Sequence, residues 1–143
     1  MNVGKLKILF KYFFCAALIL IIGCREDVYD PNNKDSNINE PIILDYYNSF
    51  TFMINANNIT YYDVENTNIE EPLAEINIGI ENYKSGYVEI FVTNNQLVSL
   101  YSQKLTKNTV NLTSTLKGYS PERLAINFHN FTGNLKIVLS NSL

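Results

Sequence analysis

Few residues in this chain of 143 are equipped for covalent chemistry, and one of them, Cys24, has a distinctive setting. Cys24 follows Gly23, and an uninterrupted apolar run, residues 12–22, precedes that glycine. A thiol in this position is a nucleophile that can take up a diacylglycerol group. The small Gly23 leaves a peptidase room to reach the bond before Cys24. Three basic residues stand ahead of the apolar run: Lys5, Lys7 and Lys11.

A positive start, a short apolar segment and a small residue at the cut define an export signal. The 11 residues of the apolar run are too few for a membrane-spanning helix, which needs about 20. The pattern resembles the lipobox of the bacterial lipoprotein family. That resemblance implies cleavage between Gly23 and Cys24, a signal peptide of residues 1–23 and a lipid anchor on Cys24. One alternative is a buried apolar helix, against which the polar, turn-rich sequence after Cys24 argues. The other is an ordinary secretory peptide cut elsewhere.

The three residues after the cysteine bear on location. Arg25, Glu26 and Asp27 resemble the charged export signal that follows the lipidated cysteine in surface lipoproteins of Bacteroidetes-type bacteria. The alternative is a charged, solvated linker. We therefore expect a lipid-anchored protein of the bacterial cell envelope, at the outer membrane, and leave open whether it faces the periplasm or the cell surface.

Residues 24–41 are expected to form a flexible tether, because this polar segment has two prolines and no hydrophobic period. Its spacing of acids departs from a calcium-binding loop, so we expect no metal there. After removal of the signal peptide, the chain keeps 8 basic and 14 acidic side chains, a net charge of −6. Such an acidic chain lacks the basic footprint of a nucleic-acid-binding protein.

From residue 42 to residue 143, apolar and polar residues alternate in seven or eight short segments. The clearest is residues 74–80, and Val110 and Leu112 are expected to point inward in a later one. This alternation predicts an all-β fold, an antiparallel β-sandwich of immunoglobulin-like or jelly-roll-like type. Clusters rich in Asn, Gly and other turn-forming residues predict turns between strands at residues 55–58, 83–86, 94–95 and 132–134.

Catalytic constellations are sparse. His129 is the sole histidine, no G-x-S-x-G motif accompanies it, and a zinc site lacks its His and Cys ligands. The carboxylates of Asp45, Asp63, Glu65 and Glu89 are compatible with a glycosidase pair, but so small a sandwich has little room for a deep cleft. We expect no enzyme activity and no cofactor or metal.

Tyrosine is the most suggestive residue type in the folded part. Consecutive tyrosines on a strand point to opposite faces, so some must be exposed. Exposed rings on a rigid sheet can stack on sugars or anchor a protein partner, although tyrosine also simply suits half-buried strands. The candidate aromatic binding face is Tyr46, Tyr61, Tyr83, Tyr87, Tyr101 and Tyr119.

Two functions remain open at this point. The first is a lipid-anchored β-sandwich that binds a protein partner or contributes to an envelope assembly. The second is a carbohydrate-binding module displayed on a lipid anchor. A contiguous tyrosine platform flanked by Asn, Asp or Glu favours the glycan, whereas scattered rings or a bare sheet edge favour protein contact.

The lipid anchor gives a direct prediction. Cys24→Ser removes the thiol that would carry the lipid. Two or more acyl chains, at about 0.8 kcal/mol per buried CH₂, hold such a protein firmly on a membrane. The variant should therefore be either uncleaved or released from the membrane. Detergent phase partitioning of the processed protein measures this. Unchanged partitioning of the variant would contradict the anchor.

Overall fold

The protein is described by a computed structural model over residues 37–142. The predicted signal peptide, the predicted lipidation site Cys24 and the predicted export signal Arg25, Glu26 and Asp27 lie outside the described residues. Within residues 37–142, no helix is long and apolar enough to cross a membrane.

Six strands, all antiparallel to their neighbours, build the described part of the chain. They form one hydrogen-bonded sheet in the order β1-β2-β6-β3-β4, with β5 also paired to β3. Three of the strands are very long, with 18, 21 and 19 residues in β2, β3 and β6. The strands are β1 (Ile42–Tyr46), β2 (Ser49–Asn66), β3 (Leu73–Thr93), β4 (Ser99–Leu105), β5 (Thr109–Lys117) and β6 (Arg123–Asn141).

The long strands each contribute to two layers. The first layer contains β1, residues 49–56 of β2, residues 134–141 of β6, residues 73–81 of β3, and β5. The second layer contains the other halves of the three long strands together with β4. The registers of the β2–β6 and β3–β6 pairs shift where the halves meet, which marks bulges in the ladders.

Contacts between aromatic rings show that the two layers face each other. Phe52 of β2 is paired with Ile137 of β6, and Phe128 lies nine residues before Ile137 on that same strand. A straight strand would separate those two positions by about 30 Å. The rings of Phe52 and Phe128 are nevertheless stacked with centroids 6.5 Å apart. The sheet therefore folds over on itself as a β-sandwich with a shared core, as the sequence predicts.

The core follows the predicted alternation. The segment from Ala74 to Ile80 buries every second side chain completely. Inward positions in the second half of β3 and along β2 and β6 are buried as well. Together these residues form one hydrophobic cluster with the first half of β3: Phe50, Phe52, Ile54, Val88, Ile90, Val92, Leu124, Ile126, Phe128, Leu135, Ile137 and Leu139.

Three predicted turns are instead bends inside continuous strands, at residues 55–58, 83–86 and 132–134. Turns and bulges use the same residues, because Asn and Gly are the ones that most readily adopt positive φ. The fourth prediction, a turn at residues 94–95, is confirmed. Residues 37–142 thus contain six strands, whereas the sequence predicts seven or eight. The residues with positive φ around the bends include Asn58, Asn82, Gly86 and Asn130.

The predicted inward direction of Val110 is wrong. Its side chain is 82% exposed, whereas Leu112 packs partly buried against the core as expected. Asn111 between them has φ of 49°, and the β3–β5 register shifts between Ile78 and Ile80. This bulge breaks the strict alternation on which the prediction for Val110 rested.

The end of the predicted tether contacts the bend of β2. The Asn39 N–H donates to the Asn55 carbonyl over 2.8 Å. In return, the Asn57 N–H donates to Asn39 Oδ1 over 2.7 Å.

The bends make one glycine indispensable. At Gly86, with φ of 77°, a Cβ atom would lie 2.3 Å from the carbonyl oxygens of both His129 and Asn130. At Gly79, a Cβ would meet nothing closer than 4.0 Å. We expect Gly86→Ala to cost on the order of 2–4 kcal/mol of unfolding free energy, because backbone must move and a strained φ is kept.

Gly79→Ala is the matched control and should change stability by less than about 1 kcal/mol. Urea unfolding of both variants measures the difference. Equal stability of the two variants would show that the β3 bend is not built as described.

Candidate functional site

One edge of the second layer carries acidic side chains on the face that packs against the hydrophobic core. Residues directly opposite each other in an antiparallel pair lie on the same face of the sheet. Tyr61, Asp63 and Glu65 of β2 are opposite Phe128, Ile126 and Leu124, which are all fully buried. The three β2 side chains therefore point to the inner side of the sandwich, at its rim.

A fourth residue comes from the first layer. Asp45 of β1 is opposite the buried Phe50, so it also points to the inner side. We call the set of Asp45, Tyr61, Asp63 and Glu65 the acidic edge. In both layers this rim is formed by an outermost strand, β1 in the first and residues 59–66 of β2 in the second.

Asp63 is the most buried member, with 9% of its surface exposed. Its Oδ1 accepts two hydrogen bonds, from the Tyr61 hydroxyl over 3.2 Å and from the Val64 N–H over 3.0 Å. Its Oδ2 is buried and has no hydrogen-bond partner among the described residues. A buried carboxylate oxygen in this state is costly and is a rare feature of a folded protein.

The charges of the acidic edge act on one another. Burial, together with the negative charges of Asp63 and Asp45, raises the pKa of Glu65. The charge of Asp63 is the largest cause that raises the pKa of Tyr61 above its ordinary value, followed by burial and the hydrogen bond to Asp63. Both shifts report a site that repels further negative charge.

No basic side chain compensates these acids in the described part of the chain. Both ion pairs found within residues 37–142 involve Glu89, with Lys104 and with His129, on another surface. The described residues also contain no group of three or more His, Cys, Asp or Glu placed to hold a metal ion. The acidic edge thus has the electrostatics of a cation site without the convergent ligands of a metal site.

The backbone beside these acids is also open. Residues 59–66 of β2 pair with β6 on one side, and no other described strand pairs with them on the opposite side. Tyr62 and Val64 alternate with the acidic residues and point outward, with Tyr62 60% exposed. This half of β2 is a free sheet edge about 26 Å long.

A second polar feature crosses the outer face of the second layer. The registers place Tyr62, Asn127, Glu89 and Lys104 in one row across four strands. Asn127 Nδ2 donates to Glu89 Oε2 over 3.2 Å, and Lys104 Nζ lies 3.7 Å from Glu89 Oε1. Asn127 and Lys104 thus both interact with Glu89 inside this row, whereas the Tyr62 ring is exposed.

Three of the six candidate tyrosines pack against neighbours. Tyr83 at the bend of β3 packs on Phe131, with ring centroids 6.2 Å apart, and donates its hydroxyl to the Gly86 carbonyl. Tyr87 stacks on His129 at 4.3 Å, and Lys104 Nζ lies 3.4 Å from its ring centroid. Tyr101 packs half-buried against the core, and burial raises the pKa of its hydroxyl.

The other three candidate tyrosines are exposed and belong to different elements. Tyr46 ends β1, Tyr61 belongs to the acidic edge, and Tyr119 lies in the loop before β6 beside Gln96 and Glu122. The structure therefore distributes the six rings over several surfaces and does not bring them together.

A cavity lies where the three long strands bend. It measures about 430 Å³ and is rimmed by Ile38 and Lys84. We call it the bend cavity. Amide side chains dominate its lining, from Asn55, Asn57, Asn82 and Asn134.

Sequence reasoning considered Asp45, Asp63 and Glu65 only as a possible glycosidase pair. A local signal for the edge was present, because Tyr61, Asp63 and Glu65 alternate and so must share one face of a strand. That this face is the inner one depends on pairing with β6, about 60 residues later in the chain.

A comparison with known protein families finds no match, and neither does a comparison with curated proteins. Similar solved structures include hydroxypropylphosphonic acid epoxidase from S. wedmorenis, at 7% identity and TM-score 0.34, over 66% of this chain and 42% of that one. The chain thus spans less than half the length of that epoxidase.

Two carbohydrate-binding modules are also similar. A CBM4 is 12% identical with TM-score 0.29, over 71% of this chain and 78% of that one. CsCBM6-3 from Clostridium stercorarium, solved in complex with cellobiose, is 10% identical with TM-score 0.26, over 80% and 86%. At these TM-scores the likenesses assign no ligand to this chain.

The raised pKa of Glu65 predicts a pH dependence of stability. The folded protein holds the Glu65 proton more tightly than the unfolded chain does. As pH falls from the raised pKa of Glu65 towards the ordinary value of about 4.3, protonation progressively removes the free-energy penalty of burying its charge. Above that window its charge opposes folding. Glu65→Gln should therefore be at least as stable as wild type at pH 7 and should flatten the stability change on acidification.

Urea unfolding from pH 7 to pH 4 measures both effects. The matched control is Glu75→Gln, on the outer face of the first layer, which should keep the wild-type slope. A Glu65→Gln variant that is less stable at pH 7 and retains the wild-type slope would contradict the description of the acidic edge.

Proposed function

We propose that this chain is a lipid-anchored envelope protein whose β-sandwich binds a protein partner, which adds a strand to residues 59–66 of β2. The observation that carries the proposal is the free edge of that half-strand, with no partner among the described residues. Strand addition is a common mode of peptide recognition, in which main-chain hydrogen bonds give affinity and alternate side chains give specificity.

The composition of the edge supports this role. Soluble proteins protect a free edge with devices such as lysine, proline, a very short strand or inward-pointing charges. Residues 59–66 contain no lysine and no proline, and their inward-pointing charges are acidic, so they repel a second copy of this edge but not a basic strand. The half-strand is long enough for several main-chain hydrogen bonds. The edge also offers a partner side chains on both faces, the exposed Tyr62 outside and the acids inside.

The expected anchor at Cys24 would place the domain beside the membrane, so the partner is expected to be another envelope protein. The role proposed is binding and not catalysis. The His129 ring stacks on Tyr87, and its Nε2 lies 3.7 Å from Glu89 Oε2. Both contacts lie on the outer face of the second layer, away from the acidic edge.

A second candidate function is saccharide binding in the bend cavity. Its volume of about 430 Å³ falls in the ordinary range of ligand pockets. Each amide can both donate and accept hydrogen bonds, as sugar hydroxyls require. The bend cavity contains none of the six candidate tyrosines, so it offers no ring from that set for stacking.

Photo-crosslinking in intact cells tests the proposed partner. A photoreactive phenylalanine derivative at Tyr62 keeps an aromatic ring at the free edge, and the same replacement at the exposed Tyr119 serves as the control. We expect Tyr62 to give a discrete crosslink to an envelope protein and Tyr119 to give none. Identical patterns from the two positions, or crosslinks to glycan alone, would contradict strand addition at β2.

A further inference from the structure

The acidic edge carries a second inference, which rests on the proposed function and specifies the chemistry of the partner. Three carboxylates lie on inward-facing positions at this rim, and the described residues supply no cation to any of them. Inward-facing positions of a sandwich otherwise favour apolar residues, as the rest of the core does here. An arrangement that costs stability in the free protein points to a ligand that compensates it.

Asp63 shows what is missing. The residue has 9% of its surface exposed, and its Oδ2 atom is buried. Oδ1 accepts two hydrogen bonds, whereas Oδ2 accepts none from the described residues. One of the two donors to Oδ1 is the neutral hydroxyl of Tyr61, on a ring that is 45% exposed. A cationic donor arriving at the edge can replace that hydroxyl, because a charge-assisted hydrogen bond is about twice as strong as a neutral one.

We propose that the acidic edge binds the guanidinium group of an arginine carried by the added strand, with Asp63 and Glu65 as acceptors. Asp63 and Glu65 are two residues apart on one strand, so their Cα atoms lie about 7 Å apart. A guanidinium has five donors in a planar fork and stacks on aromatic rings. The half-exposed Tyr61 ring stands beside the two carboxylates and supplies that surface.

The carboxylates of the acidic edge also have an effect other than binding arginine, and the test must distinguish the two. Inward-pointing charges on an edge strand keep two copies of a protein from pairing edge to edge. Repulsion of acidic edges and attraction of a basic strand are compatible, since both sharpen the choice of partner. If repulsion were the only role, the wild-type protein would have no preference for a cation at this site.

The test uses the full chain, isotopically labelled and purified in detergent, with N-acetyl-argininamide as the probe. Its neutral isostere, N-acetyl-citrullinamide, is the control ligand. We expect arginine-specific amide shifts over residues 61–66. The double variant Asp63→Asn, Glu65→Gln should weaken binding by roughly tenfold or more. The double variant Glu75→Gln, Glu81→Gln makes the same charge change on the outer face of the first layer and should change binding less than about twofold.

Equal shifts with the arginine and citrulline probes would overturn the inference, as would unchanged binding by the Asp63→Asn, Glu65→Gln variant. Edge-to-edge dimerisation of that variant without arginine binding by the wild type would also overturn it and leave repulsion as the only role. If the double variant fails to give a cooperative melt, Glu65→Gln alone carries the comparison. The probe needs no partner protein. A failure of the arginine probe to bind is therefore distinguishable from the absence of a Tyr62 crosslink.

Discussion

The structure depends on one constraint: its three central strands must bend at the same level. Because β2, β3 and β6 are neighbours over most of their length, a bend in one strand cannot occur without bends in the other two. Bulges with Asn or Gly at positive φ supply these bends, and Gly86 is the position where a side chain is excluded by backbone. Once bent, the three strands bring Phe52 over Phe128 and close the core.

The free edge follows from the same constraint. In the first layer, β1 and β5 flank the bent strands, whereas in the second layer only β4 does, on the side of β3. Residues 59–66 of β2 are therefore left without an outer neighbour among the described residues. The acids on this half-strand lie at the rim of the sandwich and not in the packed core. Their negative charges repel one another there, and a basic partner strand would reduce that repulsion.

The sequence predicts the fold class because a period of two is a local property. The alternation from Ala74 to Ile80 is enough to assign one buried face, and the structure confirms it. Local sequence does not separate a turn from a bulge, since Asn and Gly suit both, and three predicted turns proved to be bends for this reason. The prediction that Val110 points inward is wrong for a similar reason. A single bulge beside Asn111 changes which side chains of β5 face the core.

The candidate site was less accessible to sequence reasoning than the fold. Residue type alone groups the six tyrosines, whereas the tertiary structure packs Tyr83 against the core and leaves Tyr46 and Tyr119 exposed. The acidic edge has a local pattern, but its meaning depends on a strand pair between residues far apart in the chain. Asp63 and Glu65 become informative only when β6 shows which face they share with the core.

Residue-resolved hydrogen exchange of the full chain tests the central claim most directly, because it reports whether the second half of β2 is an open edge. In residues 50–53, which lie between β1 and β6, all amides should exchange slowly. In residues 61–66, slow amides bonded to β6 should alternate with fast amides on the open side. The Val64 amide, which donates to the local Asp63 side chain, is expected to be one of the fast ones. Uniformly slow exchange through residues 61–66 would mean that the edge is covered, and would contradict the account.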